Sequence, residues 1–131
     1  MSQLKRDKML NKPKYTLFKN TSYALAGLLE IFQNEKSFRL QILLFAILSM
    51  IAWLLPIKVV YTVILQFAIV LPVFAEIVNS AIERAVDLVT LEYNEYAKRA
   101  KDAGSALVFT SFAIVFFIWV FTLAFAFDIL S

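Results

Sequence analysis

The sequence predicts an all-α membrane protein in which an N-terminal amphipathic surface helix precedes three transmembrane helices. Composition, the spacing of the apolar runs and the placement of the basic residues carry that prediction. Of 131 residues, 61% are hydrophobic and 15% aromatic, with only two glycines, which is too apolar for a soluble domain of this size. The chain has no Cys and no His, so disulfides, Cys/His zinc sites, Ser-His triads and imidazole acid–base chemistry are excluded. Any metal must be held by oxygen, which favours a hard cation such as magnesium. The net charge of +3 comes from basic residues that flank apolar runs, so no nucleic-acid partner is expected.

Residues 1–14 are polar and basic, with Pro13 near their end, and read as a loose cytoplasmic tail. Residues 15–131 form a single membrane domain. Its first element, about 15–35, sets Leu17, Tyr23, Leu25, Leu28, Ile31 and Phe32 against Lys19, Asn20, Thr21 and Glu30, a helical pattern suited to the headgroup layer. A first span covers about 38–55, with Arg39 snorkelling to the interface and Pro56 closing it. It begins too far along for a cleavable signal peptide. The second span covers about 59–83 and the third about 104–130, interrupted only by Asp128. Each has the roughly 20 apolar residues that a hydrocarbon core of about 30 Å requires. Between them, Arg84 to Gly104 reads as an extension of the second helix, a short turn around Glu92 to Glu95, and the start of the third.

Orientation follows from Lys and Arg. Eight precede the first span, four (Arg84, Lys98, Arg99, Lys101) lie between the second and third, and Lys58 alone lies in the other loop. The positive-inside rule makes the side with twelve of the thirteen cytoplasmic. The N-terminus is then cytoplasmic and the C-terminus lies on the extracytoplasmic side.

At the cytoplasmic end of the second span stands Glu76-Ile-Val-Asn-Ser-Ala-Ile-Glu83. Glu76, Asn79, Ser80, Glu83 and Asp87 share one helix face at about 3.6 residues per turn. A carboxylate in a bilayer costs about 2.5–3.5 kcal/mol at the centre, so such groups usually serve a partner, a cavity or a metal. Counting from Val59 at about 1.5 Å per residue, Glu76 lies roughly 25 Å along the helix and Glu83 roughly 36 Å. The first can meet a lipid hydroxyl at the hydrocarbon edge; the second can hold a hydrated ion outside it. Lys98-Arg-Ala-Lys-Asp-Ala-Gly-Ser105 enters the membrane on the same side, with Lys101 a cation for phosphate, Asp102 a further acceptor and Gly104 permitting close helix contact. Glu35 arrives there from the first span and could share an ion with Glu83. One metal, one Lys and one base are the recurring parts of phosphoryl transfer. A P-loop or Gly-rich nucleotide loop is absent. Two other classes stay open: a proton-coupled transporter would place its Glu near the midplane and need neither Lys101-Asp102 nor Glu35, and a structural or pore-forming protein would need no aligned carboxylates.

Together with Val86-Asp87, Glu92-Tyr93, Asn34-Glu35 and Phe38-Arg39, the segments Glu76 to Glu83 and Ala100-Lys-Asp-Ala-Gly-Ser105 closely resemble the small integral-membrane diacylglycerol kinases of bacteria, from about Tyr15 to Phe125. The resemblance implies a homotrimeric helical bundle of three-span subunits that transfers the γ-phosphate of ATP to diacylglycerol, giving phosphatidic acid, with Mg2+. On the matched positions it implies Glu76 as general base and Glu35 and Glu83 as metal ligands. Tyr23, Glu35, Glu83, Glu92, Lys101 and Asp102 would contact nucleotide, and Arg39, Glu76, Asn79 and Ser105 would bind lipid or line the reacting region. Thr16, Ala24 and Leu29 stand where relatives often carry Arg, Ser and a basic residue, leaving Lys14 or Lys19 to supply that charge. Relatives that phosphorylate undecaprenol are the alternative; the short Glu92-to-Lys101 connection and Gly104-Ser105 look more like the diacylglycerol enzymes.

Overall fold

The structure, a computed structural model, describes residues 17–129. The expected basic tail with Lys14, the position of Thr16, and the last residue of the expected third span lie outside them. The described residues form four helices and no strand: α1 (Leu17–Asn34), α2 (Lys36–Leu54), α3 (Val59–Val89) and α4 (Glu95–Ala126). The last three are long and apolar enough to cross a membrane. The chain divides into a unit ending at Glu30 and a larger one beginning at Ile31.

In α1, Ile31 is the one buried residue, and Leu17, Phe18, Leu25, Leu28 and Phe32 are exposed, as an apolar face needs to be if lipid is to cover it. The helix stops at Asn34, and the Glu35 amide still donates to the Ile31 carbonyl at 2.8 Å. Arg39 supplies a C-terminal cap: its Nη1 donates to the carbonyls of Phe32 and Gln33 at 3.0 and 2.6 Å, a cation on the negative end of the helix dipole. Glu35 is the N-cap of α2 but makes no side-chain capping bond, because its carboxylate is engaged elsewhere.

Helix α2 ends where Leu55, extended at φ −69° and ψ 139°, precedes Pro56, whose ring disfavours helical geometry in the residue before it. Three residues later α3 begins. Its buried positions Thr62, Leu65, Ile69, Pro72, Glu76 and Ser80 recur every three or four residues, one continuous stripe. The stripe faces neighbours on both sides, since α3 packs against α2 and α4 alike. Phe45 of α2, Ile69 of α3 and Val115 of α4 form the apolar core, and the rings of Phe45 and Phe112 meet at 5.9 Å.

Polar ties hold the α2–α3 hairpin inside the apolar layer. Ser49 Oγ donates to Gln66 Oε1 at 2.8 Å, and Gln66 Nε2 returns to the Ser49 carbonyl at 3.2 Å. Such pairs satisfy groups that hydrocarbon cannot. Asn94 caps α4 through Oδ1, which accepts from the amides of Tyr96 and Ala97 at 2.9 and 3.2 Å.

The far end of α4 departs from expectation. Asp128, read as an interruption within a span reaching residue 130, adopts a left-handed conformation at φ 54°, and the helix closes at Ala126. The amides of Asp128 and Ile129 donate to the carbonyls of Phe125 and Ala124 at 3.2 and 2.8 Å. This is the paired pattern that terminates helices with a left-handed residue, a conformation Asp tolerates better than most.

Candidate active site

At about 1.5 Å per residue α3 is about 46 Å long and α4 about 48 Å, both longer than the roughly 30 Å of hydrocarbon they would cross. Their surplus length lies at the α3–α4 turn, where the polar side chains gather. Glu76, with 5% of its surface exposed, is the one acidic residue among the buried described side chains. From α2, Gln41 Nε2 donates to Glu76 Oε2 at 3.0 Å. Gln41 is buried too, and its Oε1 has no partner, so an acceptor stands beside the carboxylate with a hydrogen-bonding vacancy.

One helical turn further along α3, the Ser80 hydroxyl donates to Glu35 Oε2 at 2.5 Å. Arg84 Nη2 donates to the other oxygen, Oε1, at 2.9 Å. The start of α2 is thereby drawn onto the α3 face that carries Glu76. Asn79 Nδ2 donates to Glu83 Oε1 at 3.1 Å, while Asn79 Oδ1 is buried without a partner. That oxygen lies against Gly104 of α4 so closely that a Cβ there would collide with it. Gly104 thus lets the amide slide between the helices and reach Glu83. Lys101 Nζ crosses from α4 to Asp87 Oδ1 at 2.6 Å.

The remaining expected residues are placed differently. Asp102 pairs within its own helix with Lys98 at 2.5 Å, both exposed. Glu92 sits in the turn, its amide donating to Thr90 Oγ1 at 3.1 Å. An open groove lined by Asp87, Glu92, Tyr93, Asn94, Lys98 and Lys101 runs along that turn. Ser105 is exposed, and Arg39 is engaged at the end of α1. Tyr23, half exposed, belongs to the unit ending at Glu30. Sequence reading missed Gln41 and the pairing of Arg84 with Glu35. A polar residue three positions into the first apolar run was the available signal for Gln41; for Arg84 the sequence held none beyond its charge.

A hard divalent ion fits the donor set. No three His, Cys, Asp or Glu side chains converge on a metal position among the described residues, but Mg2+ ordinarily takes one or two carboxylates and completes its shell with water and substrate phosphates. Glu35 and Glu83 could supply those two, since Ser80 draws Glu35 onto α3 within one turn of Glu83.

Comparison with protein families matches residues 22–123 to the prokaryotic diacylglycerol kinases. The chain belongs to that family. Among similar proteins are the diacylglycerol kinases of Pseudomonas aeruginosa (37% identity, covering 76% of this chain and 80% of the relative), Haemophilus influenzae (36%, covering 79% and 87%) and Escherichia coli K12 (34%, covering 79% and 84%). As a member of the prokaryotic diacylglycerol kinases with three membrane-length helices, the chain is a bacterial membrane protein of a lipid kinase family.

Proposed function

We propose that the protein transfers the γ-phosphate of ATP to the hydroxyl of diacylglycerol, giving phosphatidic acid and ADP at the cytoplasmic face of the inner membrane. The observation that carries this reading is the buried Glu76 carboxylate, held by Gln41 one helical turn from the Glu35–Ser80 link. A base at the hydrocarbon edge then adjoins a candidate ion site in water.

Glu76 takes the proton of the lipid hydroxyl as its oxygen forms the new bond to the γ-phosphorus, and the bond from that phosphorus to the ADP oxygen breaks. Glu35 and Glu83 would hold Mg2+, which would supply positive charge to offset that of the phosphate oxygens. Asn79 fixes the orientation of Glu83. Lys101 meets the phosphates, Asp102 and Glu92 contact the nucleotide along the turn, and Arg39 and Ser105 flank the lipid's approach. The working unit is a homotrimer, in which a second subunit supplies contacts a single chain leaves open.

The test is purified protein given γ-labelled ATP with diacylglycerol and undecaprenol in separate and mixed micelles. Label should enter phosphatidic acid. Transfer only to undecaprenol would reassign the acceptor, and transfer to neither would refute the kinase reading.

A further inference from the structure

Both oxygens of Glu35 are occupied, and the two donors differ in kind. Ser80 is 2% exposed, a neutral hydroxyl fixed in the stripe of α3. Arg84 is a cation whose side chain is 45% exposed, against 24% for the Glu35 side chain. A divalent ion and a guanidinium repel one another, so the ion cannot settle at Glu35 Oε1 while Arg84 Nη2 stays at 2.9 Å. The hydroxyl presents no such conflict and keeps the carboxylate oriented.

We infer that Arg84 occupies the ion's place on Glu35 while nucleotide is absent, and that it exchanges this carboxylate for the triphosphate when ion and nucleotide arrive together. The inference rests on the reading of Glu35 and Glu83 as ion ligands. The Arg84–Glu35 pair is itself an open one, and such a pair contributes modestly. What Arg84 gains is a ligand suited to its planar fork, since phosphate oxygens accept two parallel guanidinium bonds. Arg84 stands one turn beyond Ser80 and bonds the Glu35 oxygen that the ion would need. Lys101 shows the same arrangement across the α3–α4 contact, resting on Asp87 at 2.6 Å. Two cations apt for a polyphosphate thus rest on carboxylates. The consequence is coupling: bare ion binds weakly, and ion with nucleotide binds well.

Two binding measurements on the full chain in micelles separate this role from a strut. The first is titration of Mn2+ without nucleotide, followed by the loss of its free paramagnetic signal. The second is binding of magnesium with a non-hydrolysable ATP analogue. Arg84→Met should bind bare Mn2+ about three- to tenfold more tightly than the unaltered protein, and the magnesium–analogue complex more weakly by about the same factor. Arg84→Lys, which keeps the charge, should restore much of the analogue binding. A variant that binds both probes more weakly marks Arg84 as a strut and overturns the inference, as does unchanged Mn2+ affinity. Glu35→Gln tests the underlying reading separately: it should abolish Mn2+ binding with or without Arg84, and retained binding would refute Glu35 as a ligand.

Discussion

Glu76 is buried, and Gln41 meets one of its two carboxylate oxygens. The other is the one available to take a proton. Glu76→Gln keeps the shape and removes the base, so single-turnover phosphorylation should fall by about 10²- to 10⁴-fold while binding of an ATP analogue persists. A loss smaller than about tenfold would exclude Glu76 as the base. Gly104 gives a second residue-scale outcome. A methyl group there meets Asn79 Oδ1, so Gly104→Ala must push the amide off Glu83 or separate α3 from α4. Overpacking of this kind costs about 1–3 kcal/mol; the unfolding midpoint should drop and the magnesium requirement should rise, and neither change would occur if the contact were slack. Glu76, Asn79 and Glu83 were legible because their spacing alone puts them on one face. Gln41 and the Arg84–Glu35 pair were not, because they join residues 35 and 49 positions apart, a proximity that only packing creates.

Helix ends show what local chemistry decides. Asn94 meets two amides at the start of α4, so Asn94→Ala should lower stability by about 1 kcal/mol, measured as a shift in thermal unfolding in micelles. An unaltered midpoint would mean that packing against α3 fixes this end without the cap. The three long helices were readable from apolar runs, Pro56 and the polar turn, all of which act within a few residues. Asp128 was harder, since a charged residue after an apolar run signals an interruption or a stop equally well. The backbone decides: a left-handed Asp with two reverse amide bonds is a terminus. In α3, Pro72 is fully buried within the helix, one turn before Glu76. It has no amide to give to the Ala68 carbonyl, which loosens the helix just ahead of the proposed base.

For the whole molecule, sidedness decides whether the site can meet ATP. Cys introduced at Asn94 and at Lys58, in a chain that has none, should be labelled by an impermeant thiol reagent on intact cells only at position 58. The reverse pattern would put the groove along the α3–α4 turn away from nucleotide. The membrane class of the fold was legible from composition. Composition does not say which faces would meet in the proposed trimer, because a lipid-facing apolar surface and a subunit-facing one have the same composition when the surrounding solvent is itself hydrocarbon.

The position of Glu76, the proposed base, seventeen residues after the start of α3, would make the proposed kinase a gauge of bilayer thickness. About 25 Å of helix separates it from Val59, so acyl chains a few carbons shorter would flood the carboxylate with water, and longer ones would draw it under the surface, away from the phosphate it is proposed to meet. Activity in phosphatidylcholine vesicles of graded chain length should therefore pass through a maximum and fall on both sides, with lipid headgroup and substrate fraction held constant. A flat profile would mean that protein contacts alone set the surroundings of Glu76.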